Sequence, residues 1–396
     1  MHHQSYDGLD REAGAPVSQV RRALIGAVML DFAVSPLFIW SAFSGPLSAE
    51  IGVRSSALSL AYAVGLGAFT AGVLVGGWLA DRVAAQVLAL VVAAVVVAGL
   101  VLTGIAQSPG TVVAGYGVLL GGATGVGYAT AVRVAASVAG RRGSALALVV
   151  SAYAAGAVVL APVVDVLWDR VGRTATFGVL AGLLGALLLI ASALLAGARR
   201  PPDPPRAPGA RVSIRPYSIP LIRWWVVFAL GSAPALIAFG HAAGLARSSS
   251  LAVVAVVLLN SGNFGGRLLA GPVADRTGHG PALHVAAFAL VVATLVLALV
   301  GHPVATLAAL LVIGAQYGAI SVLVPMIVAD AVPTAVIGTA YGLVFSGWGV
   351  VGLTGPIAVG ALAEATSYTT VAGALVGVAA LFWGAVVWAS TSTQQR

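Results

Sequence analysis

Apolar residues run in long blocks along the chain, and short polar loops separate the blocks. A helix needs ~20 apolar residues to cross the hydrocarbon core of a bilayer. By that measure the sequence predicts twelve membrane-spanning helices. Their predicted bounds are 22–43, 56–79, 85–106, 111–138, 144–168, 174–197, 221–244, 248–273, 282–300, 303–329, 336–362 and 368–390. The first block is too long for the core of a signal peptide, so we interpret it as span one.

One segment, residues 199–220, is rich in both proline and arginine, and it divides the spans into six and six. Such a composition is typical of a flexible linker at the cytoplasmic face. We therefore predict an all-α polytopic membrane protein made of two six-helix bundles. The predicted parts are an N-terminal tail (1–21), a first bundle (22–198), the linker (199–220), a second bundle (221–390) and a C-terminal tail (391–396).

The composition excludes several classes of protein. With 60% hydrophobic and 8% charged residues, the chain cannot be a soluble globular protein. It has no cysteine and only six scattered histidines, so neither a thiol nucleophile nor a metal site is expected. The glycine-rich runs have no preceding strand and no following Lys-Ser/Thr, which argues against a nucleotide site. We expect no enzyme activity, no metal and no cofactor.

The net charge of +8 comes from arginines in short loops and does not indicate nucleic-acid binding. Fourteen arginines lie on the side of the N-terminus and four on the other side. The positive-inside rule then places both termini in the cytoplasm. We expect a monomeric multi-pass protein of a bacterial inner or plasma membrane, with the lipid bilayer as its surroundings. Two arginines, Arg133 and Arg267, remain within predicted spans.

Arg267 lies in span eight, where a guanidinium costs about 2.5 kcal/mol or more unless it faces a partner or a water-filled cavity. Its planar donor set matches a carboxylate. Asn263 lies one turn earlier on the same helical face, where its amide could bind the same ligand. We predict that this pair binds an anion. The alternative is a structural role in which Arg267 is tied to an acid or to backbone carbonyls.

A short motif repeats in the two halves: Gly77 to Arg82 at the end of span two and Gly271 to Arg276 at the end of span eight. Internal repeats of this kind are typical of transporters whose substrate site lies near the bilayer midplane. A carboxylate at such a helix end can cap a neighbouring helix when the inner side is closed. We therefore predict a cytoplasmic gate formed by Asp81, Arg82, Asp275 and Arg276.

Twelve spans, a central loop and this motif resemble the major facilitator superfamily. Five stretches also resemble the oxalate/formate antiporter family and the related monocarboxylate transporters: residues 35–40, 125–130, 240–243, 263–267 and 338–342. The resemblance implies alternating access around a central cavity. It also implies that six aromatic residues line this cavity, although each taken alone could be ordinary packing: Phe38, Trp40, Tyr128, Tyr153, Tyr317 and Trp348.

The sequence departs from the oxalate carriers at Trp348, which we align with a lysine of those carriers. With one cation in place of two, we expect the cargo to be a small monocarboxylate and not a dicarboxylate. Coupling would be to protons or to exchange of a second anion. Proton-driven efflux of an apolar drug and a non-transporting membrane sensor are the alternatives.

In the fold that this resemblance implies, spans one and four border the cavity, so Asp31 and Arg133 could form an ion pair that parts in another state. Such a pair would provide a proton-coupling site, or else a permanent structural link. His241, near the outer end of span seven, is a further candidate because histidine titrates near neutral pH. A lone histidine at a helix end can also be simply hydrogen-bonded.

Overall fold

The computed structural model describes residues 17–80, 82–136, 142–197, 217–332 and 337–390, which contain helices and no strand. The helices are α1 (Val17–Ala33), α2 (Trp40–Ile51), α3 (Ser55–Ala80), α4 (Ala85–Gly104), α5 (Pro109–Val112), α6 (Gly121–Ala136), α7 (Arg142–Leu195), α8 (Ser218–Leu245), α9 (Ala252–Thr277), α10 (His279–Leu299), α11 (Pro303–Ala331), α12 (Ile337–Ala365) and α13 (Tyr368–Ser390). A π-helical stretch, Val113–Leu120, joins α5 to α6, and short 3-10 helices precede α2 and α9, Ser35–Ile39 and Ser249–Leu251.

Eleven helical segments in the described ranges are long and apolar enough to cross a membrane, which confirms the predicted fold class. One of them, Ala145–Leu195, contains predicted spans five and six. The chain leaves helical conformation within it at Gly172 (φ 73°, ψ 177°). That backbone region is open almost only to glycine. The glycine therefore divides α7 into two crossings, which brings the number of crossings to the predicted twelve.

The first crossing differs from its prediction at both ends. Helix α1 begins at Val17, so the last residues of the predicted tail (1–21) are helical. The crossing continues past residue 43 to Ile51. Most of the predicted linker, and with it the predicted boundary between the bundles, lies outside the described residues.

The first crossing is also interrupted, at the 3-10 helix Ser35–Ile39. Pro36 has no N–H to continue an α-helix. At this break, side chains donate to two backbone carbonyls: Thr124 to that of Val34 (3.1 Å) and Tyr116 to that of Pro36. Irregular backbone at membrane depth is tolerated only with such partners.

The described helices pack in matching pairs. In the first half α3 packs on α6 and α4 on α7, and in the second half α9 packs on α11 and α10 on α13. The two halves meet along two seams, α3 against α12 and α7 against α9. The side chains between these seams form the centre of the molecule, and the candidate site lies among them.

Candidate substrate site

A pocket lies where the two halves meet. Its empty volume is about 390 Å³, which includes space open to solvent. Eleven side chains line it: Phe38, Phe69, Tyr128, Tyr153, Phe228, Arg267, Tyr317, Ser321, Tyr341, Phe345 and Trp348. The lining comes from both halves, as a site that opens to alternate sides requires.

Arg267 is the one cation among the side chains that line the pocket, and only 5% of the residue is exposed. Nε donates to Oδ1 of Asn263 at 3.0 Å, one helical turn away. Nη1 donates to the backbone carbonyl of Val150 on α7 at 2.7 Å. The second bond crosses from the second half of the molecule to the first. Neither acceptor is a carboxylate, so these bonds do not neutralise the buried charge.

Two phenols flank this guanidinium. The hydroxyls of Tyr128 and Tyr317 both lie close enough to interact with Arg267. Asn263 is fully buried, and its Nδ2 has no hydrogen-bond partner in the described part of the chain. A carboxylate in the pocket would therefore find a guanidinium and two phenolic donors close together. Asn263 does not line the pocket itself and contacts the site through its hydrogen bond with Arg267.

Trp348 and Tyr317 are joined by a hydrogen bond from the indole Nε1 to the phenol oxygen at 2.9 Å. The Trp348 ring stacks on Phe345, with centroids 5.2 Å apart and planes at 17°. Tyr341, Phe345 and Trp348 are spaced i, i+4 and i+7, so they share one face of α12. This face forms an aromatic wall of the pocket. Trp348, which we aligned with a lysine of the oxalate carriers, is part of this wall.

Asp31 is completely buried on α1. Neither carboxylate oxygen forms a hydrogen bond of good geometry within the described residues, although the backbone of Tyr153 lies close enough to interact with the carboxylate. The ion pair that we considered between Asp31 and Arg133 is not formed in this conformation. The cationic charge that acts on the carboxylate is that of Arg267. The two groups belong to different halves of the molecule, since α1 carries the acid and α9 carries the base.

Two other expected site residues lie away from the pocket lining. Trp40 packs on Phe43 and Tyr116 in the first half, with ring centroids at 5.3 and 4.7 Å. His241 forms hydrogen bonds of 3.1 Å with the Tyr368 hydroxyl and with the Pro356 carbonyl. These bonds tie α8 to α12 and α13 within the second half, at a point where His241 itself departs from helical geometry.

The predicted gate can be described only in part, because Asp81 lies outside the described residues. Arg82 donates to the Trp78 carbonyl at 2.9 Å, and its guanidinium lies 4.2 Å from the Trp78 ring centroid. Asp275 and Arg276 are exposed at the end of α9. Their role as a gate stays a prediction.

Several lining residues were missed by the sequence prediction: Phe69, Phe228, Ser321, Tyr341 and Phe345. The helical spacing of Tyr341 and Phe345 with Trp348 was a signal that could have identified two of them. The hydrogen bond from Arg267 to the Val150 carbonyl could not be predicted from the sequence, because every residue has a backbone carbonyl that can accept a hydrogen bond.

Two pseudo-symmetric helical bundles around a central pocket define a polytopic membrane transporter of the alternating-access class. The sequence matches the family model described as "Major Facilitator Superfamily" over residues 23–356. The chain belongs to this family, whose members are transporters. No curated protein sequence matches the chain.

Among solved structures, the chain is similar to a crystal structure of the nucleoside transporter NupG, a single-residue variant. The TM-score is 0.70, the sequence identity is 13%, and the match covers 93% of this chain and 99% of that one. At this identity the likeness concerns the fold alone. Neither of these two matches concerns the oxalate/formate antiporter family, so the resemblance to that family stays a hypothesis.

Proposed function

We propose that this transporter carries a small organic monocarboxylate, bound through its carboxylate to Arg267. The observation that carries the proposal is a buried guanidinium that lines the central pocket and has no carboxylate in either of its two hydrogen bonds. A buried guanidinium whose nearest charged group, Asp31, makes no hydrogen bond to it is poorly compensated, and an anionic cargo would supply a directly bound counter-charge during each cycle.

The bond from Arg267 to Val150 suggests how binding is coupled to movement. It links α9 to α7, which belong to opposite halves. A carboxylate that takes over Nη1 would compete with the Val150 carbonyl and loosen this link between the halves. The empty and loaded proteins would then differ in their preference for the open and closed states, which is the condition for ligand-driven conformational change.

Asp31 supports coupling to protons in this proposal. An ionised carboxylate is costly to bury completely, so a group in this position is suited to bind and release a proton. Its electrostatic partner is Arg267, the same side chain that would bind the cargo. The cargo carboxylate and the ionised Asp31 carboxylate would therefore compete for a single positive charge, and protonation of Asp31 would leave Arg267 to the cargo.

The test is a thermal-shift panel of formate, lactate, pyruvate, benzoate and oxalate on the wild-type protein and on Arg267→Ala. A ligand that binds only the folded state raises its melting temperature. We expect at least one monocarboxylate to stabilise the wild type more than oxalate does. In Arg267→Ala this stabilisation should be lost, because charge-assisted hydrogen bonds contribute about 1.5–3 kcal/mol each.

Two results would contradict the proposal. One is stabilisation by oxalate that exceeds that by every monocarboxylate in the panel. The other is an uncharged apolar compound that stabilises wild type and Arg267→Ala equally while no carboxylate does, which would favour efflux of apolar compounds.

A further inference from the structure

The pocket contains more aromatic surface than anion binding requires. Nine of its eleven lining side chains are aromatic, and the other two are Arg267 and Ser321. A carboxylate bound to Arg267 needs donors at one end of the cargo only. The rings therefore face the remainder of the cargo, and their geometry determines which acids fit.

Ring contacts cross the seam between the two halves. Phe69 of α3 lies 5.1 Å from Trp348 of α12, between ring centroids, with planes at 46°. Phe38 of the first half stacks on Phe239 of α8, at 4.2 Å and 25°. These contacts must be lost wherever the halves separate to admit cargo. A flat ring placed between the separated rings would replace them with contacts of the same kind, which a saturated tail cannot do.

The aromatic wall contains the stacked rings of Phe345 and Trp348, whose planes lie at 17° to each other. The only donor of the Trp348 side chain, Nε1, is engaged by the Tyr317 hydroxyl at 2.9 Å. The Arg267 guanidinium lies 6.0 Å from the centroid of the Tyr317 ring. Tyr317 thus contacts Trp348 on one side and faces the cation on the other. The anion position and the aromatic wall are neighbours.

We propose that the cargo is an aromatic monocarboxylate, with its carboxylate on Arg267 and its ring between Phe69 and the wall of Phe345 and Trp348. This inference rests on the proposed function, because it adds a ring to the same carboxylate site. A dicarboxylate would place its second charge against rings. A nucleoside would fill the aromatic space and give the guanidinium no directly bound anion.

The experiment compares four probes by calorimetric titration of the purified full-length protein. Benzoate has both ring and charge, cyclohexanecarboxylate has the charge and a puckered ring, acetate has the charge alone, and benzyl alcohol has the ring alone. We expect benzoate to bind about tenfold or more tightly than each of the other three, since ring stacking and a charged contact each contribute on that scale.

Trp348→Leu tests the wall. It should weaken benzoate binding about tenfold and leave cyclohexanecarboxylate binding nearly unchanged, because leucine keeps apolar contact and removes the ring face. Phe345→Leu is the second variant and should act in the same direction if Trp348→Leu fails to fold. Phe288→Leu is the matched control, because the Phe288 ring is 55% exposed on α10 and does not line the pocket. It should bind benzoate like wild type.

Equal affinity for benzoate and cyclohexanecarboxylate, with both lost in Arg267→Ala, would overturn the aromatic assignment and leave monocarboxylate transport intact. The same conclusion would follow if Trp348→Leu lost equal affinity for benzoate and for cyclohexanecarboxylate. Binding of benzyl alcohol without binding of any carboxylate would overturn this inference and the proposed function together.

Discussion

At the scale of single residues, the account depends on how two buried charges are compensated. Arg267 and Asp31 lie in opposite halves, and the guanidinium acts on the carboxylate without a hydrogen bond to it. Such a separated pair is poorly compensated in a low dielectric. Each group can therefore bind a further partner: Arg267 can bind a carboxylate, and Asp31 can bind a proton.

Asp31→Asn tests the proton role, because asparagine keeps the shape of the side chain and cannot titrate. We expect uptake driven by a pH gradient to fall to a small fraction of the wild-type rate, while exchange of cargo at equal pH on both sides persists. Flux assays in proteoliposomes at several external pH values measure both. Asp165→Asn, at an exposed carboxylate on α7, is the matched control and should behave like wild type. Uptake by Asp31→Asn with an unchanged pH dependence would exclude this role.

At this scale the sequence was informative about Arg267 and less so about its partners. An arginine within an apolar block is unusual enough to indicate a site, and it does line the pocket. The pairing of Asp31 with Arg133 was suggested because spans one and four border the cavity in the fold that the resemblance implies. The structure instead places the charge of Arg267 near Asp31. Distances between side chains on different helices depend on helix rotation and tilt, which composition and spacing do not specify.

At the scale of helices, close packing of α9 on α11 holds Arg267 at the pocket. A methyl group added at Gly262 would overlap the Leu311 carbonyl, and one at Gly266 would overlap the Ala315 carbonyl. Small residues in such a row let membrane helices approach backbone to backbone. Gly266 directly precedes Arg267, so the position of the guanidinium depends on this approach.

Gly266→Ala should therefore destabilise the protein by about 1–3 kcal/mol through overpacking and should weaken carboxylate binding as α9 moves. Gly265→Ala is the matched control one residue earlier, because nothing lies within 4 Å of the added methyl group. It should leave stability and binding unchanged. Thermal unfolding in detergent and titration with the best carboxylate measure both effects. Equal stability of the two variants would show that the tight approach is not required.

The sequence predicted the membrane crossings correctly, because the length of each apolar block determines them. It did not predict the irregular backbone within the first crossing. Apolar blocks of bilayer length predicted the crossings because lipid demands them. The interruption at Pro36 had a signal in the proline itself, which the block-length criterion ignored. The division of α7 at Gly172 agrees with the predicted loop between spans five and six, although helical structure continues up to it on both sides.

At the scale of the whole molecule, the halves are joined by contacts that an alternating-access cycle must break. Arg267 reaches the Val150 carbonyl, and Asn260 of α9 reaches the Phe38 carbonyl at 3.3 Å. Along the other seam α3 packs on α12, with Ser59 beside Gly360 at the end that we expect to face outside. These contacts describe a conformation in which that end of the seam is closed.

A disulfide can test whether that end must open. A Cβ built on Gly360 lies 3.4 Å from the Ser59 Cβ, close to the separation that disulfides require. The natural sequence has no cysteine, so the double variant Ser59→Cys with Gly360→Cys introduces the only two thiols. We expect oxidation to cross-link the pair and to abolish transport, and reduction to restore it.

The two single-cysteine variants serve as controls and should transport equally in oxidising and reducing conditions. Full transport by the cross-linked double variant would contradict the expected movement of α3 against α12.

Uptake of a labelled monocarboxylate into proteoliposomes tests the central claim most directly, with wild type, Arg267→Lys and Arg267→Ala reconstituted in equal amounts. Wild type should accumulate the acid. Arg267→Lys should be impaired because it keeps the charge but loses the planar donor set. Arg267→Ala should fall to less than about a tenth of the wild-type rate, as expected for the loss of a charge-assisted contact. Uptake by Arg267→Ala at the wild-type rate would contradict the account.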